Sequence, residues 1–140
     1  MQFVCDAFKG RTWFRIETDA EAEAETKIMR HAVEKHFRQA QKRARESYVP
    51  GPGLERDIGL KAHLIRTAPL FLTLRADDGE PLATAMLPPR GKHDPTFQVI
   101  VVGPENADPY PSHADAIAAL SRHYGISLPR ERCYPYAQRS

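Results

Sequence analysis

The sequence feature that most constrains the fold is the stretch from Asp19 to Ser47, which contains neither glycine nor proline. Thr18, followed three residues later by Glu21, forms a capping box before it, and this pattern is typical of a helix start because both side chains accept hydrogen bonds from free backbone N–H groups. A Pro-Gly-Pro-Gly sequence at 50–53 ends the stretch. We therefore predict one continuous helix of ~43 Å, which is longer than a small domain is wide.

The apolar residues of this predicted helix recur so that they share one side. At 100° per residue, the apolar arc contains Ala22, Met29, Ala32, Val33, His36, Phe37, Ala40 and Ala44. His36 lies at the centre of the arc, so we expect its ring to be buried with a hydrogen-bonding partner. His31 falls on the opposite, polar side. Because the two histidines are five residues apart, they do not form the i,i+4 pair of helical zinc sites.

Basic side chains concentrate on the other side of the predicted helix. Such a face can contact nucleic-acid phosphates or an acidic protein, and the candidate binding residues are Lys27, Lys35, Arg38, Lys42, Arg43 and Arg45. The alternative is a solvated face on which Glu23 pairs with Lys27 and Glu34 with Arg38, each pair contributing ~0.2–0.5 kcal/mol. We leave both interpretations open.

A helix of this length cannot be covered fully by a chain of 140 residues. Part of it is therefore expected to project or to meet a second copy of the chain. We predict a homodimer, with the contact made by the long helix or by the aromatic tail that contains Tyr134 and Tyr136.

The other elements indicate an α+β domain with about five strands in the order ββα(α)βββα, formed by residues 1–140 as a single unit. Residues 2–8 and 12–18 are predicted to form a hairpin, and residues 70–76 and 82–87 a second one. Residues 97–102 are almost wholly apolar, which is typical of a central strand covered on both faces. Residues 54–65 fit a helix better than a strand. A last helix is predicted from Ser112, with Asp115 in its first turn, to Gly125.

Four polar residues in or near proline-rich loops could form a reactive site if the fold brings them together: His93, Asp94, Asp108 and His113. Histidine and aspartate are the side chains that most often move protons in enzymes. Their spacing matches no known catalytic or metal-binding motif, and residues of this kind also form ordinary turns. An enzyme with a site in these loops is therefore one of three hypotheses.

Composition excludes several classes of protein. Two cysteines, Cys5 and Cys133, are too few for a disulfide scaffold, and we expect structural thiols. A net charge of +2 is low for a dedicated nucleic-acid binder. The sequence has no apolar run of membrane-spanning length, no signal-peptide pattern, no phosphate loop and no resemblance to a known family. We predict a cytoplasmic binding or interaction module without cofactor or metal; a nucleic-acid-binding protein and an enzyme are the alternatives.

Overall fold

The computed structural model describes residues 1–49 and 55–136; for residues 55–58 it describes the backbone only. Within these residues, five antiparallel strands form one sheet in the order β1-β2-β3-β4-β5. The strands are β1 (Gln2–Asp6), β2 (Thr12–Arg15), β3 (Leu70–Arg75), β4 (Pro81–Leu87) and β5 (Ile100–Val102). The helices are α1 (Asp19–Met29), α2 (Val33–Glu46), α3 (Glu55–Thr67) and α4 (Tyr110–Tyr124). The predicted α+β class and the two hairpins are confirmed, as is a helix rather than a strand before β3.

The two faces of the sheet bury different kinds of core. Along β3, Leu70, Leu72 and Leu74 belong to a core that also contains Ile117 and Leu120 of α4. The indole N–H of Trp13 donates to the carbonyl of Ala116 at 2.8 Å, which fixes α4 to this face. Phe71 of β3 points the other way and packs with Ile16, Ala22, Val33 and Phe37, so α1 and α2 cover the second face.

The prediction of one continuous helix from Asp19 to Ser47 is wrong, because the chain breaks between α1 and α2. Arg30 adopts a left-handed conformation (φ 55°, ψ 51°), and its N–H donates to the carbonyl of Thr26. The hydroxyl of Thr26 then accepts the N–H of Glu34 at 2.8 Å, which satisfies a donor at the start of α2. Two short helices can both lie against the sheet, whereas one rod of this length could not.

The break also reverses the predicted positions of the two histidines. His31, expected on the polar side, is buried, and His36, expected at the centre of the apolar arc, is exposed. Ala32 is exposed as well, whereas Met29, Val33 and Phe37 are buried as predicted. A periodicity continued across residues 30–32 assigns the wrong phase to the side chains near the break.

The apolar run of residues 97–102, predicted as a central strand, instead lies at an edge of the sheet. Only Ile100–Val102 is a strand, and it pairs with β4 on one side. On its other side the C-terminal segment runs beside it: the N–H of Tyr134 donates to the carbonyl of Val99 at 2.8 Å, and Ile100 forms an isolated parallel bridge with Tyr134. The C-terminal segment therefore lies where a central strand would have its second neighbouring strand.

The last helix ends as predicted at Gly125, which is left-handed (φ 70°), but it begins differently. Its first residue is Tyr110, Pro109 occupies the N-cap position, and the backbone is non-helical at His113. The carboxylate of Asp115 accepts a hydrogen bond from the adjacent Ala116 N–H and forms an ion pair with Arg11, which comes just before β2.

The predicted turn at 50–53 and Leu54 lie outside the described residues.

Replacing Arg30 with glycine should stabilise the protein by ~0.5–1 kcal/mol. A side chain in the left-handed region costs ~1–2 kcal/mol, and the greater freedom of glycine in the unfolded chain offsets part of that gain. The measurement is the midpoint of urea unfolding.

Arg30→Ala is the matched control for this substitution. It also removes the exposed ion pair between Arg30 and Glu105 but keeps a β-carbon, so it should not stabilise. A destabilising Arg30→Gly, or an equal gain with alanine, would contradict the left-handed break.

Candidate functional site

A cavity of about 300 Å³ lies where the break between α1 and α2 faces the β4–β5 side of the sheet. Its apolar wall comes mainly from Phe71, Met86, Ile100 and Val102, side chains of three neighbouring strands. The polar side chains that line it include His31, His36, Thr84 and Asn106. In full, the cavity is lined by His31, Ala32, Val33, His36, Phe71, Thr84, Ala85, Met86, Ile100, Val102, Asn106, Tyr134 and Pro135. We call it the α2 cavity.

A buried network of polar side chains ends at the α2 cavity. Glu25 of α1 is fully buried, and its carboxylate forms an ion pair with the Arg75 guanidinium at 2.6 Å. The other carboxylate oxygen accepts a hydrogen bond from the Thr84 hydroxyl at 2.8 Å. Thr84 in turn lies 2.8 Å from Nε2 of His31. We call Arg75, Glu25, Thr84 and His31, with Thr73 bound to Arg75 Nε at 3.0 Å, the Glu25 network.

The Glu25 network is complete in its hydrogen bonding. Every buried side-chain nitrogen and oxygen in the described part of the chain has a partner. A buried carboxylate is tolerated only when it is paired and hydrogen-bonded, and Glu25 meets both conditions. Burial lowers the pKa of His31 below its ordinary value, with the negative charge of Glu25 opposing the shift only partly. The backbone N–H of Val33 donates to Nδ1 of His31 at 3.4 Å, so this ring nitrogen is a hydrogen-bond acceptor.

The sequence contains a signal for the burial of Glu25. Glu25 lies three residues after Ala22 and four before Met29, so it shares the buried side of α1 with them. The apolar arc predicted above contains Ala22 and Met29 but not Glu25. Thr73 and Thr84 are likewise polar residues inside strands whose neighbours are buried. An acid in an apolar helix stripe and hydroxyls in apolar strands are the pattern of a buried network.

The basic residues predicted to bind an acidic partner or nucleic acid lie on α1 and α2. Lys27 is within 3.8 Å of Glu23, Arg38 pairs with both Glu34 and Asp19, and Lys42 is 3.9 Å from Glu46. The two predicted i,i+4 pairs are thereby confirmed. The remaining candidates are exposed and have no ion pair among the described residues: Lys35, Arg43 and Arg45. Their binding to an acidic partner stays a prediction.

The polar loop residues each make local contacts. Asp94 accepts hydrogen bonds from the backbone and the hydroxyl of Thr96, and these bonds lower the pKa of its carboxyl group. With His93 it lines a separate cavity of about 550 Å³ beside the 88–97 loop. Asp108 pairs with Arg130 at 2.6 Å. Neither Asp108 nor His113 lines the cavity that His93 and Asp94 share.

His113 belongs to an ion-pair cluster that joins the first hairpin to α4. The buried Arg11 guanidinium lies 3.0 Å from His113 Nδ1 and donates to Asp115 at 2.6 Å. Partial burial, together with the positive charge of Arg11, lowers the pKa of His113. These contacts give the three residues a structural role, because they hold the β1–β2 hairpin against α4. Whether His93, Asp94, Asp108 and His113 take part in catalysis stays a prediction.

Within the described residues, no group of three or more His, Cys, Asp and Glu side chains is arranged to hold a metal ion. Cys5 and Cys133 are free thiols. Burial raises the pKa of the Cys133 thiol, to which the Tyr110 hydroxyl donates at 3.3 Å. No helix in this part of the chain is long and apolar enough to cross a bilayer.

The sequence matches no protein-family model, and no curated protein or solved structure matches it. Geometry and chemistry are therefore the grounds for assigning a function. The α2 cavity is the candidate site because it combines an apolar wall with one end of a buried polar network.

Proposed function

We propose that this protein is a binding module for a small, mainly apolar ligand that occupies the α2 cavity. The observation that carries the proposal is the position of the cavity against the buried Glu25 network. Ligand sites combine apolar walls with a few fixed polar groups, and here the wall is Phe71, Met86 and Val102 while the fixed group is His31.

The size of the cavity limits the ligand. A volume of about 300 Å³ is at the lower end of the range for small-molecule sites. A ligand of roughly one aromatic ring with a short substituent suits this space. His36, Asn106 and Tyr134 line the cavity and are exposed, so these side chains would contact the part of the ligand that faces the solvent.

Titration of the ¹⁵N-labelled protein with toluene tests the proposal. Amide shifts should concentrate at residues 31–36, 84–86 and 100–102, and Ile100→Trp should abolish them because the indole fills the cavity. Ile28→Trp is the matched control, since Ile28 is exposed on α1 and does not line the cavity. Shifts scattered over the surface, or binding unaffected by Ile100→Trp, would refute the proposal.

Homodimerisation stays a prediction, although the structure does not contain the long helix on which it mainly rested. In its place, α1 and α2 are two shorter helices that contact each other and the sheet. The aromatic tail is partly used within the chain as well: Tyr136 is buried against Tyr110, with ring centroids 6.0 Å apart. The basic face of α2 likewise stays a prediction, and we base no second function on it.

A further inference from the structure

A second cavity, of about 320 Å³, shares no lining residue with the α2 cavity. Three basic side chains line it: Arg15 of β2, Arg90 in the turn after β4, and His123 near the end of α4. Among the described residues, no aspartate or glutamate lines it. We call it the Arg15 cavity, and its other lining residues are mostly apolar: Gln2, Phe3, Val4, Ile65, Leu70 and Tyr124.

The pairing of the strands places Arg15 on the face of the sheet that α4 covers. Arg15 lies directly opposite Gln2 of β1 and Leu72 of β3, and residues opposite each other in an antiparallel sheet share a face. Leu72 belongs to the core beneath α4. Burial raises the pKa of Tyr124, and the positive charge of Arg15 opposes that rise. The Arg15 charge is therefore near another side chain that lines the cavity.

The turn after β4 fixes Arg90 beside the end of α4. Gly91 packs so closely on Tyr124 that a β-carbon at this position would lie 2.5 Å from Cδ1 of the ring. The N–H of Gly91 also donates to the carbonyl of Pro88 at 2.8 Å, which closes the turn. Arg90 itself is left-handed, with φ 60°, and residues held in this unfavourable conformation cluster at functional sites.

Neither Arg15 nor Arg90 forms an ion pair with a residue in the described part of the chain. Arg11, Arg75 and Arg130, by contrast, each pair with a carboxylate at 2.6 Å. Arg15 is nevertheless half-buried. Because burying a charge is unfavourable unless an opposite charge compensates it, these two arginines leave the Arg15 cavity suited to an anion.

The charge of the cavity matches a phosphate group. The two guanidinium groups supply two positive charges, and the end of α4 near His123 offsets about half of one. A phosphate monoester carries about −1.5 to −2 charges at neutral pH. Arginine binds phosphate oxygens through paired N–H donors, and the imidazole of His123 adds a further N–H donor. Phe3 and Leu70 provide an apolar wall for an organic substituent.

We propose that the Arg15 cavity binds a phosphate group, either as free phosphate or as a small phosphate monoester, through Arg15, Arg90 and His123. The site is separate from the α2 cavity, so it stands whether or not that cavity binds an apolar ligand.

The test is an NMR titration of the ¹⁵N-labelled protein with inorganic phosphate, phenyl phosphate and benzoate at about pH 7.5, where most phosphate carries two charges. Amide shifts should concentrate at residues 2–4, 15, 90–91 and 123–124, and both phosphates should bind more tightly than singly charged benzoate. Tighter binding of phenyl phosphate than of phosphate would identify a monoester as the ligand, and equal affinities would identify free phosphate. Benzoate binding as tightly as the phosphates, or shifts confined to other residues, would overturn the proposal.

Glutamine variants show whether the two arginines hold the anion. Arg15→Gln and Arg90→Gln should each weaken phenyl phosphate binding about tenfold or more, the loss expected for a hydrogen bond to a charged group. Arg66→Gln is the matched control, because Arg66 is exposed and follows Ile65 of the cavity wall but does not line the cavity. It should change the affinity less than about twofold. Equal losses in all three variants would show unspecific attraction to positive charge and contradict the proposal. Arg90 is exposed, so Arg90→Gln decides the matter even if Arg15→Gln fails to fold.

Discussion

Replacing Glu25 with alanine should lower the free energy of unfolding by about 3–5 kcal/mol. The substitution leaves the Arg75 guanidinium, whose side chain is only 15% exposed, without its ion-pair partner. It also leaves the Thr84 hydroxyl without an acceptor. A buried charge that loses its partner is among the costliest changes in a folded protein. Urea unfolding monitored by circular dichroism measures the loss.

Glu23→Ala is the matched control, because Glu23 lies on the same helix and its ion pair among the described residues is with exposed Lys27, at 3.8 Å. It should change stability by less than about 0.5 kcal/mol. The double variant Glu25→Met with Arg75→Met should recover much of the loss, since neither charge then remains buried. Equal effects of Glu25→Ala and Glu23→Ala would show that Glu25 is not part of a buried network.

Replacing Phe71 with alanine should cost about 3–5 kcal/mol of stability, the usual range for a buried phenylalanine. Phe71 is 1% exposed, and its ring packs edge-on against Phe37 with centroids 5.3 Å apart. The side chain joins α2 to the sheet and forms a wall of the α2 cavity. Denaturant unfolding of the single variants and of Phe71→Ala with Phe37→Ala completes a double-mutant cycle.

The cycle should give a coupling energy of about 0.5–1.5 kcal/mol between the two rings. Phe3→Ala serves as the control, because Phe3 is a phenylalanine of the same sheet that is 58% exposed. Its replacement should cost less than about 1 kcal/mol. A loss in Phe71→Ala no larger than in Phe3→Ala would mean that α2 does not pack on the sheet as described.

Local sequence signals predicted most elements of the fold. The capping box at Thr18 forms as expected, with the Thr18 hydroxyl accepting the N–H of Glu21. Gly125 ends α4, and β3 and β4 pair as the predicted second hairpin. These signals succeed because each one depends on hydrogen bonds between residues a few positions apart. The site could not be predicted in the same way, since Glu25, Arg75, Thr84 and His31 come from three separate segments.

The sequence by itself determined the class of fold, the two hairpins, where α1 begins and where α2 and α4 end, because those features depend on local backbone conformation and on periodic burial. Tertiary structure decided where the long helical stretch breaks, which histidine is buried and what surrounds the cavity. The reason is that Arg30 accepts a strained conformation only because both helices then pack on the sheet. That benefit comes from contacts between distant residues, which no local pattern records.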